Sequence, residues 1–107
     1  MYNFKKYTRG SIFISPTFKI KTDIGYVNFD LYDISFTIKE SSYEYSPILL
    51  KYDKVNGGVI LSADKYAFSL KQDVIDLPVG LYSYVIKIKY QTSTEENLIE
   101  GKFLIVD

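Results

Sequence analysis

The chain has 107 residues, enough for one domain around one modest core, and its 13 Lys and Arg balance 13 Asp and Glu. That balance argues against broad electrostatic attachment to nucleic acid or to anionic membranes. With neither Cys nor His, there is no disulfide framework or thiol nucleophile, and the commonest zinc ligands and general base are missing.

Hydrophobic residues make up 47% of the chain, and its aromatics are 11 Tyr and 7 Phe without Trp. That composition suits half-buried strands, where a tyrosine ring packs while its hydroxyl stays wet. The first residues lack the apolar stretch of a secretory signal, and no apolar run approaches the roughly 20 residues that span a bilayer. The expectation is a protein made and kept in an aqueous compartment, without a membrane partner.

Residues 1–10 form a basic and aromatic arm, in which Tyr2, Phe4 and Tyr7 interleave with Lys5, Lys6 and Arg9. The arm reads either as a frayed terminus or as a strap tied to the domain's own sheet or to a neighbouring subunit. All six residues are candidate partner contacts, and the domain proper is expected over 11–107.

Beyond the arm the apolar residues alternate with period 2, the strand signal. Segments 11–15 and 17–21 read as strands flanking Pro16, whose missing N–H suits an edge, a bulge or a break. Residues 30–33 lead into 34–39, with Ile34, Phe36 and Ile38 on one face. The loop Ser41-Ser-Tyr-Glu-Tyr-Ser46 is expected to expose Tyr43 and Tyr45, two further candidate contacts. Residues 47–52, 59–61 and 66–70 are short strands, and Asn56-Gly57 between them marks a tight turn.

Residues 71–76 hint at a helical turn, and Leu77-Pro-Val-Gly80 reverses the chain. The clearest strand is 82–90: Tyr82, Tyr84, Ile86, Ile88 and Tyr90 share one face, and Ser83, Val85, Lys87 and Lys89 the other. A polar loop over 91–97 leads to a final strand over 98–106, with Ile99, Phe103 and Ile105 on one side. Seven or eight short antiparallel strands make an all-β sandwich the expected architecture.

Catalytic chemistry would have to rest on carboxylates, hydroxyls and lysines. Asp30 with Asp33, and Glu95 with Glu96, are close enough in sequence to consider as a glycosidase pair or a calcium site. Neither has the oxygen-ligand spacing of a calcium loop, so they read as turn formers and a solvated loop. Gly57-Gly58 lacks the Lys-Ser/Thr or helix of a phosphate loop and reads as a turn. No catalytic residue, cofactor or metal is expected.

Four stretches resemble a pattern of phage virion proteins. They are Asp30-Leu-Tyr-Asp-Ile-Ser-Phe-Thr-Ile-Lys39, Gly58-Val-Ile-Leu61, Leu77-Pro-Val-Gly-Leu-Tyr82 and Glu100-Gly-Lys-Phe-Leu-Ile-Val106. Together they are similar to the immunoglobulin-like N-terminal domain of phage baseplate upper proteins, over about residues 28–107. The resemblance implies an immunoglobulin-like sandwich and a virion location after synthesis in the host cytoplasm. The implied role is structural: a head decoration or auxiliary subunit, or a small tail or baseplate piece. It implies docking to capsid or tail subunits or to copies of itself; nucleic acid is not an expected partner. The long receptor-facing continuation of those proteins is missing after Asp107, which points to a stand-alone module. The alternative from another class is a carbohydrate-binding or adhesion module, because exposed tyrosine rings stack on sugars.

Overall fold

The computed structural model describes residues 4–107. Its strands in chain order are β1 (Tyr7–Thr8), β2 (Thr17–Phe18), β3 (Lys21–Thr22), β4 (Gly25–Tyr26), β5 (Tyr32–Lys39), β6 (Ile48–Asp53), β7 (Val59–Leu61), β8 (Phe68–Leu70), β9 (Gly80–Tyr90) and β10 (Glu96–Val106). Among the described residues one 3-10 turn, Phe29–Leu31, precedes β5. The larger sheet runs β1-β10-β9-β5-β6 and the smaller β2-β8-β7, while β3 and β4 form a separate hairpin. All pairings are antiparallel except that of β1 with β10, which is parallel.

The register shows why period 2 produces a core here. On one face of the larger sheet, Ile34, Phe36 and Ile38 of β5 stand opposite Ile88, Ile86 and Tyr84 of β9. Phe103 of β10 stands opposite Tyr82, on the same face. The smaller sheet answers with Phe18, Phe68, Leu70 and Val59, all buried. Rings fill the seam between the two layers of this β-sandwich: Phe18 stacks on Phe68 at 5.0 Å within the smaller sheet, Phe29 of the 3-10 turn meets Phe68 edge-on at 4.8 Å, and Phe4 stands 6.5 Å from Phe18 and 5.9 Å from Phe36 of the larger sheet. Each fully buried Phe or Ile contributes roughly 1.5–3 kcal/mol, so the alternating strands supply most of the driving force. Tyr82 and Tyr84 are core residues as their spacing suggests, but Tyr90 at the end of the row is 41% exposed and packs on Tyr32.

Residues 11–15 correct one expectation. No strand forms there; a single bridge pairs Ile12 with Val74, and Phe13 N–H donates to the Asp73 carbonyl. Ser15 Oγ accepts from Leu70 N–H at 2.8 Å, where a regular ladder would offer a carbonyl. The break adjoins Pro16, which cannot donate. Residues 71–76 likewise form no helical turn, because their backbone is tied to this segment through the Val74 bridge and the Asp73 carbonyl.

The described part of the arm is tied to the domain's own sheet, with β1 as the outer strand of the larger sheet. The Phe4 ring lies within 4.7–5.9 Å of the rings of Tyr84, Phe103, Phe13 and Phe36. Tyr7 is 5% exposed; its hydroxyl donates to the Ser11 carbonyl and accepts from the buried Ile75 N–H at 3.0 Å. Packing the Phe4 and Tyr7 rings against the core outweighs leaving a short segment free, so residues 4–8 lie on the domain's own sheet.

Two corners fix the strand ends. Tyr82 at the start of β9 donates to the Pro78 carbonyl at 2.6 Å, anchoring the new strand to the turn that produced it. After β6, Asn56 accepts from Asp53 N–H and Gly58 N–H and donates to the Lys51 carbonyl. Of the Asn-Gly pair only Gly57 takes a left-handed conformation, with φ +78°. Asn56 thus covers backbone groups on the open edge of β6, a protection that edge strands need.

Candidate functional site

The outward face of the larger sheet carries the polar half of each alternation. Ser83 of β9 stands between Lys102 of β10 and Lys39 of β5, while Val85 in the next row stands between Glu100 and Thr37. Ser83 and Thr37 are 6% and 7% exposed although they point away from the core. Long neighbouring side chains and the 40–46 loop rise around these short ones, so the face is concave. The resulting groove has a volume of about 590 Å³. Its walls include Lys39, Ser41, Glu44, Lys87, Asn97 and Lys102.

The hydrogen bonds define how its cations are held. Lys102 Nζ donates to Ser83 Oγ at 3.1 Å, and Lys39 Nζ donates to the Glu44 carbonyl at 2.9 Å. Lys87 faces Glu95 at 3.7 Å, and Asn97 Nδ2 is 3.5 Å from Glu100 Oε2. Among the described residues, no carboxylate pairs with Lys39 or Lys102.

The 40–46 loop is held by its own bonds. Ser41 N–H donates to Ser46 Oγ, Ser46 N–H to the Tyr43 carbonyl, and Lys39 braces Glu44 from the sheet. This turn leaves Tyr43 80% and Tyr45 93% exposed.

The remaining residues singled out in the sequence are scattered. Lys5, Lys6 and Arg9 are exposed along the β1 side, whereas Phe4 is half-buried and Tyr7 buried, both turned toward the core. Tyr2 lies outside the described residues. A second groove, of about 520 Å³, runs between residues 4–8 and 11–16, with Ile12 and Ile14 exposed beside it. Asp30 lies in the 3-10 turn and its N–H donates to Asn28 Oδ1; Asp33 lies outward on β5 opposite Lys89. Among the described residues, no three Asp or Glu side chains converge to hold a metal ion.

Perturbed ionisation lies away from the groove. The Val74 N–H, then Lys71, hold the Asp73 carboxyl below the usual range, and hydrogen bonds from Ser62 and Tyr66 do the same for Asp64. Burial, then the charge of Asp73, raises the Tyr52 hydroxyl.

Sequence reasoning missed Ser83, Lys39 and Lys102 as a group. The outward parity of Ser83 on β9 was legible, but its two flanking lysines are set by strand order, which periodicity does not encode. In comparisons with known proteins, no family model, curated protein or solved structure matches the chain.

Proposed function

We propose that this chain is a structural docking module of a bacteriophage particle, a head auxiliary or decoration subunit or a small tail or baseplate component. It acts by binding neighbouring virion proteins. The observation that carries the reading is the 40–46 loop, a turn fixed by internal hydrogen bonds that presents Tyr43 and Tyr45 almost wholly to solvent. Rigid, exposed tyrosines offer large contact area at low entropic cost, and they are enriched at protein interfaces.

The architecture supports an immunoglobulin-like form of the sandwich. A sheet ordered β1-β10-β9-β5-β6 faces β2-β8-β7, and the first strand lies parallel to the last. The Tyr82 hydroxyl reaching back to Pro78 matches the tyrosine corner of such domains. Further apolar side chains suit docking: Ile24 at the β3–β4 turn is 99% exposed and Val55 after β6 is 97% exposed. Repetition on a symmetric lattice would multiply individually weak contacts.

The double substitution Tyr43→Ala with Tyr45→Ala removes two exposed rings and leaves the core untouched. The variant is expected to keep the parent melting temperature and to lose co-sedimentation with particles. Unchanged co-sedimentation would reject this loop as the docking element.

A further inference from the structure

We propose that the groove on the outer face of the larger sheet binds a saccharide bearing a carboxylate, with Lys39, Ser83 and Lys102 as the carboxylate subsite. Lys39 and Lys102 flank Ser83 in one row of three strands. Their backbones are two strand spacings apart, roughly 10 Å. All three line the same groove, so the two flexible lysines can reach one oxyanion above the serine.

The chemistry of these groups is that of an anion subsite. Each ammonium donates only to a neutral oxygen, the Glu44 carbonyl or Ser83 Oγ, and among the described residues neither has a carboxylate partner. Ser83 is 6% exposed and accepts from Lys102, but its own hydroxyl hydrogen has no acceptor among the described residues. An arriving carboxylate supplies acceptors to three unfilled donors at once, and charge-assisted bonds of this kind are the strong ones.

The remaining walls choose the class of ligand. Ser41, Ser42 and Asn97 offer neutral donors and acceptors, and Glu44 and Glu100 offer acceptors only. A molecule with one negative group and several hydroxyls satisfies that mixture. A polyacidic peptide would bring further carboxylates against Glu44 and Glu100, and free phosphate would leave the neutral groups unused. A volume of about 590 Å³ lies within the roughly 300–1,000 Å³ of small-molecule sites. The inference goes beyond docking in a particle and stands or falls separately from it.

The test is titration of the isotope-labelled full chain with 3′-sialyllactose, followed by amide shifts, with lactose, inorganic phosphate and a poly-glutamate peptide in parallel. Expected are saturable shifts at residues 39–44, 83 and 102 with sialyllactose, and weaker shifts with lactose and with phosphate. Binding should weaken at least about tenfold in Lys39→Gln/Lys102→Gln, the scale of a lost charged hydrogen bond. Both lysines are at the surface, so the parent spectrum away from the groove should persist. No saturable shifts with sialyllactose, equal binding of lactose, binding that survives the double substitution, or tighter binding of poly-glutamate would each overturn the inference. Because particle content is measured independently, a failure here leaves the docking proposal standing, and the converse holds too.

Discussion

Tyr7→Phe removes a single oxygen from the core and leaves every ring contact in place. That oxygen accepts from the buried Ile75 N–H at 3.0 Å and donates to the Ser11 carbonyl. Ser11 is exposed, so water can replace the tyrosine at its carbonyl. The Ile75 N–H, beside a side chain only 1% exposed, has no such recourse. Leaving a buried donor without an acceptor costs about 1–3 kcal/mol, so a loss of about 2 kcal/mol is expected. In a domain near 100 residues that lowers the melting temperature by about 8 °C or more. Tyr82→Phe is the internal control: it also loses one hydroxyl, but strands only an acceptor, the Pro78 carbonyl, at a cost of about 1 kcal/mol. Urea unfolding with an unchanged slope reports both directly. If Tyr7→Phe costs no more than Tyr82→Phe, the arm is not pinned through Ile75 and the reasoning fails.

Gly58→Ala places a methyl group 2.4 Å from Tyr52 Cβ, so the core must shift; overpacking predicts a loss of about 1–3 kcal/mol in urea unfolding. Asn56→Ala uncovers Asp53 N–H and the Lys51 carbonyl on the β6 edge, and should cost about 1–2 kcal/mol and increase self-association measured by light scattering. The Tyr52 hydroxyl titrates above its ordinary value of 10.0 in the folded chain, mainly through burial. Its contribution is therefore intact below pH 10 and lost as pH rises through the folded value. Alkaline unfolding should be steeper for the parent than for Tyr52→Phe, and equal slopes would refute this.

The long strands were legible because they are amphipathic by parity: β5, β9 and β10 place their rings and branched side chains on one face wherever the partner strand lies. Where a side chain substitutes for backbone the pattern misled. Ser15 takes the Leu70 N–H next to Pro16, so 11–15 has a strand's alternation but not its ladder. The hint of a helical turn over 71–76 fails because the Asp73 carbonyl is taken by Phe13 N–H, some 60 positions away in the chain, and Lys71 N–H by the Gly58 carbonyl. In the arm, Phe4 and Tyr7 are three apart, which fits neither a period of 2 nor an exposed contact strip. Tyr7 is inside because its ring packs on Phe13 and Phe103 and its hydroxyl takes the Ile75 N–H, contacts that only tertiary packing supplies. At the candidate site, the exposure of Tyr43 and Tyr45 followed from their polar, turn-rich neighbours. The Lys39–Ser83–Lys102 row could not be read, since it needs the order β10-β9-β5.

The proposed role as a phage-particle component is tested most directly by quantitative mass spectrometry of virions purified from the culture in which the chain is natively expressed, with copies counted against the major capsid protein. The account predicts a fixed stoichiometry that survives further purification: a simple ratio for a head subunit, or a few copies per particle for a tail or baseplate piece. Absence of the chain from particles that are otherwise complete would contradict it.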